Sequence, residues 1–265
     1  MTPSFCYIDR KIVIKLKKAL RGTEGEFFVP TYKYLIFDVD DTLLDFYPAF
    51  LAAQRNIAGI LGIELSKEYF ETDDQCGWRA WEECRLDKTE EKDVQENYHE
   101  YYYKYLRKHY EYLLEAYGKE YDVQELVDCY LKSISSSKVM KEPDTLAAYM
   151  KLSQKYKLAL ATNGIERVQK ERLSDFLPYT HGIYVSEEIG FIKPTEDFYS
   201  SIMNDLKCGP EECLMIGDSI TNDIVGAKAI GMDVCYYNAK GKRKPENVPV
   251  DHEIGSINDL VQILM

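Results

Sequence analysis

The strongest constraint on the fold of this chain is a series of short apolar runs that each end abruptly in polar residues. A strand buried in a parallel sheet has this pattern, because helices cover both faces of the sheet and polar residues follow at the strand's carboxyl end. Segments with helical spacing separate the runs, and this alternation is typical of a doubly wound α/β sheet. The predicted strands are Tyr34–Phe37, Lys157–Ala161, Gly182–Val185, Cys213–Ile216 and Val234–Tyr237. The predicted helices between them are Asp144–Tyr156, Ile165–Phe176, Thr195–Leu206 and Thr221–Ile230.

The alternation stops between residues 47 and 141, where the chain is charged, rich in tyrosine and tryptophan, and helical in its spacing. This stretch predicts an inserted helical domain, with one helix from Pro48 and a longer one over Glu91–Tyr117. The serine cluster Ser133–Ser137 is interpreted as the linker that returns to the sheet. The expected organisation is an N-terminal extension of undetermined role (1–30), a sheet domain (31–46 and 142–265) and a helical domain (47–141).

Tyrosine is unusually frequent, with 22 residues against 10 phenylalanines. Many of the tyrosines fall in the predicted helical domain, together with both tryptophans. Side chains of this kind at helical spacing are more often packing residues than base-stacking ones, so packing is the favoured interpretation. The residues concerned are Trp78, Trp81, Tyr101, Tyr102 and Tyr105.

The chain is acidic, with 33 Lys and Arg against 45 Asp and Glu, a formal net charge of −12. Such a surface repels phosphate backbones, so we expect a small ligand and no nucleic acid polymer. The basic run Lys240–Lys244 is interpreted as a solvated loop. Seven scattered cysteines without a CxxC pair favour a reducing compartment, and no apolar stretch is long enough to span a membrane. We therefore expect a cytoplasmic protein that does not cross a membrane.

Polar clusters occupy or follow the carboxyl ends of the predicted strands, the edge at which open α/β sheets bind ligands. Several carboxylates at this edge require either raised pKa values or a bound cation, and an oxygen-rich site suits Mg²⁺. Hydroxyl, amide and ammonium donors beside them predict a phosphate-binding site with an aspartate nucleophile. Solvated carboxylates or a ribose-binding acid are the alternatives, but the chain has no GxGxxG or GxxxxGK[ST] motif. The candidate residues are Asp38, Asp40, Thr162, Asn163, Lys193, Asp218 and Asp223.

These clusters resemble, in order, the four motifs of the haloacid dehalogenase (HAD) superfamily of phosphohydrolases. Asp38-Val-Asp-Asp-Thr42 is similar to motif I, Thr162 to motif II, Lys193 to motif III, and Gly217-Asp218 through Asp223 to motif IV. The resemblance covers the chain from about residue 34 onwards. It implies the HAD-type Rossmannoid core, with the helical insertion acting as a cap that excludes water and selects the leaving group.

The resemblance also implies roles for individual residues. Asp38 would be the nucleophile that becomes an aspartyl phosphate, and Asp40 the general acid and base. Thr162, the Asn163 backbone amide and Lys193 would hold the phosphate oxygens. The magnesium ligands would be Asp38, the Asp40 carbonyl and Asp218, with Asp223 acting indirectly.

Asp40 favours phosphate ester chemistry, since dehalogenating members of the superfamily lack this carboxylate. A finer resemblance is to the pyrimidine 5′-nucleotidases of the YjjG/YfnB type, in which motif I ends in Asp-Asp-Thr or Asp-Glu-Thr, as it does at Asp41 here. The resemblance thus implies a Mg²⁺-dependent phosphatase for a small phosphorylated metabolite, a nucleoside 5′-monophosphate first. Phosphoglycolate or sugar-phosphate phosphatases and phosphomutases are the alternatives within the enzyme class. A catalytically silent phosphate-binding module is the alternative outside it.

Overall fold

A computed structural model describes residues 32–265, except 242–244 and 246. The predicted N-terminal extension (1–30) and part of the basic run therefore lie outside the described residues. The described chain divides into two compact units, a helical unit and a sheet unit. The helical unit comprises residues 46–139 and 164–172, and the sheet unit comprises 32–45, 140–163 and 173–265.

The sheet unit is built on a fully parallel six-stranded sheet of order β3-β2-β1-β4-β5-β6, which confirms the predicted fold class. Its strands are β1 (Tyr34–Phe37), β2 (Lys157–Thr162), β3 (Thr180–Val185), β4 (Cys213–Gly217), β5 (Asp233–Tyr237) and β6 (His252–Ile254). The edge strand β6 was not predicted, because its three residues include His252 and Glu253 and form no apolar run.

The register of the central strands decides which residues meet at the edge of the sheet. Phe37 at the end of β1 pairs with Leu160 of β2 and with Ile216 of β4. Because the three strands are parallel and level, the residues that follow them emerge side by side.

The helical unit contains α1 (Phe46–Leu61), α2 (Lys67–Glu83), α3 (Lys92–Glu96), α4 (Tyr98–Tyr117) and α5 (Val123–Ser135). The long helix predicted over Glu91–Tyr117 is interrupted at Asn97, whose side chain donates a 2.9 Å hydrogen bond to the Asp93 carbonyl. The prediction of a serine linker was wrong, because Ser133 and Ser135 lie within α5. Their hydroxyls donate to the Cys129 and Lys132 carbonyls, which satisfies them inside a helix.

The remaining helices are α6 (Thr145–Leu152), α7 (Glu166–Arg172), α8 (Ser186–Ile189), α9 (Glu196–Leu206), a π-helix (Ile220–Val225), α10 (Gly226–Ala229) and α11 (Ile257–Leu264). Helix α7 packs with the helical unit through Val168. On one face of the sheet, Phe37 shares a core with Tyr149 of α6 and Leu260 of α11, and the rings of Phe37 and Tyr149 lie 5.2 Å apart. On the other face, Phe198 and Ile202 of α9 belong to a second core. The sheet is thus buried on both faces.

Aromatic rings in the helical unit pack mainly against one another. The rings of Trp81 and Tyr105 meet edge to face at 5.3 Å, and those of His109 and Tyr110 stack at 5.0 Å. The unit also contains a buried polar pair, since the His109 ring lies 2.9 Å from a carboxylate oxygen of Asp73. The buried core of this unit is mainly aliphatic and includes Tyr110, and partly buried tyrosines such as Tyr102 and Tyr105 pack against it.

None of the described helices combines the length and the apolar character that a bilayer-crossing helix requires.

Replacing Ile36 by alanine tests the buried sheet, because this β1 side chain is fully buried. We expect the free energy of unfolding to fall by about 2–5 kcal/mol, the cost of removing a buried aliphatic side chain. The matched control is Ile263→Ala in α11, where the side chain is 49% exposed and the change should stay within about 0.5 kcal/mol. Urea denaturation measures both. Equal losses in the two variants would contradict the arrangement of the core.

Candidate functional site

Asp38 is the first residue after β1 and is almost completely buried. Its backbone N–H donates to the Ile216 carbonyl at 2.8 Å, which continues the β1 to β4 pairing by one residue. Its carboxylate Oδ2 accepts a 3.1 Å hydrogen bond from the Thr42 hydroxyl. The same hydroxyl accepts a 3.1 Å bond from the Asp218 backbone N–H. Thr42 thereby ties the segment after β1 to the segment after β4.

Lys193 lies in the interior and is surrounded by acceptors. Its Nζ lies 2.5 Å from Asp38 Oδ1, 2.8 Å from Asp223 Oδ1 and 3.0 Å from the Ala161 carbonyl. An ammonium group has three donors, so these three contacts engage all of them. The sequence predicted that Lys193 contacts a phosphate, and such a contact requires one of these bonds to be shared or exchanged.

The buried charges of Asp38, Lys193 and Asp223 shift the pKa values of Asp38 and Lys193. Burial raises the pKa of the Asp38 carboxyl well above its ordinary value, the charge of Asp223 raises it further, and Lys193 opposes the rise only in part. Burial acts to lower the pKa of the Lys193 ammonium, but the carboxylates of Asp223 and Asp38 outweigh it and raise that pKa. Lys193 is therefore a permanent positive charge, and two carboxylates share it.

Carboxylate oxygens of Asp38, Asp218 and Asp223 all lie within 4.8 Å of one another. If all are ionised, these three residues and Lys193 leave two negative charges uncompensated. A divalent cation offsets two charges, and a cluster of oxygen donors is the set that Mg²⁺ prefers. The residues present therefore fit a magnesium ion. Asp40 is half-buried, and its backbone bridges to Leu44.

Asn163 follows β2, and its side chain holds the backbone of Lys193. The amide Nδ2 donates to the Lys193 carbonyl at 3.0 Å, and Oδ1 accepts from the Lys193 N–H at 2.8 Å. The sequence predicted a role for the backbone amide of Asn163 but missed this clamp, which joins residues 30 positions apart. Thr162, the last residue of β2, is buried beside it in the chain.

Two glycines permit the close approaches around Asp223. A Cβ atom on Gly217 would fall 2.2 Å from Asp223 Oδ2, so only glycine fits at this end of β4. A Cβ atom on Gly226 would fall 2.7 Å from the Tyr199 ring and 2.9 Å from Pro194 Cβ. The segment that carries Asp223 can therefore pack directly against the segment that carries Lys193.

Asp223 lies in the π-helix, and a backbone donor fixes its second oxygen. The Ser219 N–H donates to Asp223 Oδ2 at 3.0 Å, while Lys193 occupies Oδ1. Both carboxylate oxygens are thus engaged by the protein. A single π-helical turn at such a position is frequent at functional sites.

Asp41 adopts a left-handed backbone conformation, with φ at 62°. Asp is one of the few residues besides Gly that visits this region readily. Its carboxylate accepts a 2.6 Å hydrogen bond from Lys141 Nζ, which also lies 3.5 Å from Asp45. In the sequence, Asp41 served only to support the resemblance, whereas in the structure it holds the turn that follows β1.

The profile of the haloacid dehalogenase-like hydrolases matches residues 32–231. The chain belongs to this family. The Bacillus subtilis HAD-hydrolase YfnB is 31% identical over 88% of this chain and 95% of its own length. Pyrimidine 5′-nucleotidase PynA from Streptococcus pneumoniae is 29% identical over the same shares of the two chains. Glyceraldehyde 3-phosphate phosphatase from Methanopyrus kandleri is 28% identical over 88% of this chain and 97% of its own length.

A crystal structure of YfnB aligns with a TM-score of 0.73 and 28% identity, over 88% of this chain and 98% of that one. That protein is bound to magnesium and shows interdomain movement. The predicted superfamily and its resemblance to the YfnB group are thereby confirmed.

Thr42→Val removes the hydroxyl that joins Asp38 to Asp218 while keeping the shape of the side chain. We expect the free energy of unfolding to fall by about 1–3 kcal/mol, because a buried N–H and a buried carboxylate each lose a partner. Thr42→Ser keeps the hydroxyl and should lose clearly less. Urea denaturation of both proteins decides this, and an equal loss in the two would show that the hydroxyl is not the link.

Proposed function

We propose that this chain is a Mg²⁺-dependent phosphatase that hydrolyses a small phosphate monoester through an aspartyl phosphate on Asp38. The observation that carries the proposal is the Asp38 carboxylate, which is held on one oxygen by Lys193 and on the other by Thr42. These contacts fix its orientation at the carboxyl edge of the sheet, where the carboxylate of Asp218 lies within 4.8 Å. An oriented carboxylate beside a cation site is suited to attack on phosphorus.

Asp38, Asp218 and the main-chain carbonyl of Asp40 would hold the magnesium ion. Asp223 would act indirectly, by accepting hydrogen bonds from Lys193 and from the Ser219 N–H and so positioning the ammonium of Lys193. When bound, Mg²⁺ offsets the negative charge of the phosphate and of the carboxylates, so that two anions can approach each other.

In the first half of the reaction, an Asp38 oxygen forms a bond to phosphorus. The bond from phosphorus to the leaving oxygen breaks, and Asp40 gives its proton to that oxygen. The transferring phosphoryl oxygens are held by Thr162, by the backbone amide of Asn163 and by Lys193. Lys193 opposes, in part, the effects of burial and of the Asp223 charge, both of which favour the neutral acid at Asp38.

In the second half, Asp40 accepts a proton from water. The water oxygen bonds to phosphorus, the bond from phosphorus to Asp38 breaks, and inorganic phosphate leaves. Asp40 is again protonated and Asp38 is again a carboxylate, so the cycle closes. Asp40 is half-buried, which suits a group that must exchange protons with water and substrate.

The proposed substrate is a nucleoside 5′-monophosphate with a pyrimidine base. The full-length similarity to PynA supports this class, and the similarity to YfnB agrees with the resemblance in motif I. The predicted helical domain (47–141) is proposed to select the leaving group. The second candidate is a sugar-phosphate phosphatase, and the similarity to the glyceraldehyde 3-phosphate phosphatase of Methanopyrus kandleri supports it.

Asp38→Asn removes the nucleophile while keeping the size of the side chain. We expect turnover of a chromogenic phosphate ester to fall by roughly 10³-fold or more. Asp175→Asn, a change at an exposed aspartate of the same unit, is the matched control and should keep wild-type turnover.

EDTA should abolish wild-type activity and added Mg²⁺ should restore it. Full activity in Asp38→Asn or in EDTA would contradict the mechanism. An inactive wild type that still binds phosphate ligands would favour the silent binding module.

The substrate class is tested by steady-state kinetics with UMP, dUMP and dTMP against phosphoglycolate, hexose phosphates and glyceraldehyde 3-phosphate. We expect kcat/KM for the best nucleotide to exceed that of every other phosphate by at least about tenfold, a difference of about 1.4 kcal/mol. A preference for a sugar phosphate would retain the phosphatase and overturn the nucleotidase assignment.

A further inference from the structure

Three sulfur atoms meet on the sheet unit, and the mechanism uses none of them. They belong to Met203, Cys208 and Cys213, which we call the sulfur triad. The two Sγ atoms are 3.5 Å apart, and Met203 Sδ lies 3.8 Å from Cys213 Sγ and 4.0 Å from Cys208 Sγ. Both cysteines are free thiols. The three donors therefore form a nearly equilateral triangle.

The local backbone holds the triad in place. Met203 lies in the last turn of α9, which ends at Lys207 in the left-handed conformation. The Cys208 N–H then donates to the Met203 carbonyl, which turns the chain back beside that residue. A short 3₁₀ turn follows, and Cys213 begins β4. Since helix end, turn and strand position the sulfurs without a ligand, the site is preorganised.

The size of the triangle matches a trigonal metal site. The point equidistant from the three sulfurs lies about 2.2 Å from each, close to the roughly 2.3 Å of a metal–thiolate bond. Thiolate and thioether donors together select soft cations, and Cu(I) is the one that such ligands favour. In the described part of the chain, no histidine or carboxylate groups with both thiols to give the four-donor site that zinc prefers.

We propose that the sulfur triad of Met203, Cys208 and Cys213 is a binding site for Cu(I), separate from the oxygen-rich magnesium site.

Binding of Cu(I) has to displace thiol protons, because burial raises the pKa of both thiols and the empty site is neutral. Cu(I) replaces up to two thiol protons, which leave to solvent, and no electron is transferred. Met203 and Cys213 are buried, whereas Cys208 is only half-buried and gives the ion a route of entry.

The test is an anaerobic titration of the reduced full-length protein with Cu(I), in competition with the chromogenic chelator bathocuproine disulfonate. We expect one equivalent of Cu(I) to be withdrawn from the chelator, with a new near-ultraviolet absorption from sulfur to copper charge transfer. Cys208→Ser should weaken binding at least about 100-fold, and Met203→Leu at least about tenfold. These residues are chosen because replacing the fully buried Cys213 risks the fold.

Cys129→Ser is the matched control, because Cys129 is also half-buried but lies in the helical unit, and it should bind as the wild type does. Circular dichroism verifies that each variant is folded. Phosphatase activity should persist in Cys208→Ser, so this test is independent of the proposed function. Failure of the reduced wild type to withdraw Cu(I) would overturn the site. Unchanged binding in Cys208→Ser or in Met203→Leu would do the same.

Discussion

The structure around the candidate site depends on one buried ammonium, that of Lys193, which is shared between Asp38 and Asp223. Removing the ammonium would leave two carboxylates without compensation in the interior, and breaking a buried ion pair commonly costs about 3–5 kcal/mol. Neighbouring features serve to keep the group in place. The side-chain amide of Asn163 binds the backbone carbonyl and N–H of Lys193, and Gly217 leaves room for Asp223. The site is thus a rigid part of the core.

The parallel sheet explains why such distant residues meet. Since β1, β2 and β4 are in level register, Asp38, Thr162 and Asp218 emerge at one edge from three separate parts of the chain. Each strand is held by many backbone hydrogen bonds and two buried faces, so the positions of these side chains are fixed by the whole core. This arrangement lets a shared HAD-type core support different substrates.

The sheet unit separates two kinds of donor chemistry. The carboxyl edge collects carboxylate oxygens, which suit a hard divalent cation, whereas the sulfur triad begins at the opposite end of β4. Strand β4 runs from Cys213 to Gly217, directly before Asp218. Hard and soft ligands therefore lie at the two ends of one strand, and each set favours a different ion.

The sequence by itself determined the fold class and pointed to three carboxylates, Asp38, Asp218 and Asp223, that the fold brings together. Buried strands and the polar residues that follow them have recognisable local sequence patterns, so Asp38, Asp218 and five of the six strands of the described sheet were predictable. It did not reveal β6, whose three residues carry no apolar run, or the serines inside α5, whose hydroxyls bond to the helix backbone. Only the tertiary structure decided that Lys193 is shared by two carboxylates, that the side chain of Asn163 clamps it, and that Met203 meets Cys213. The physical reason is that local periodicity records which face a residue occupies, whereas its partner across the chain depends on strand register and packing.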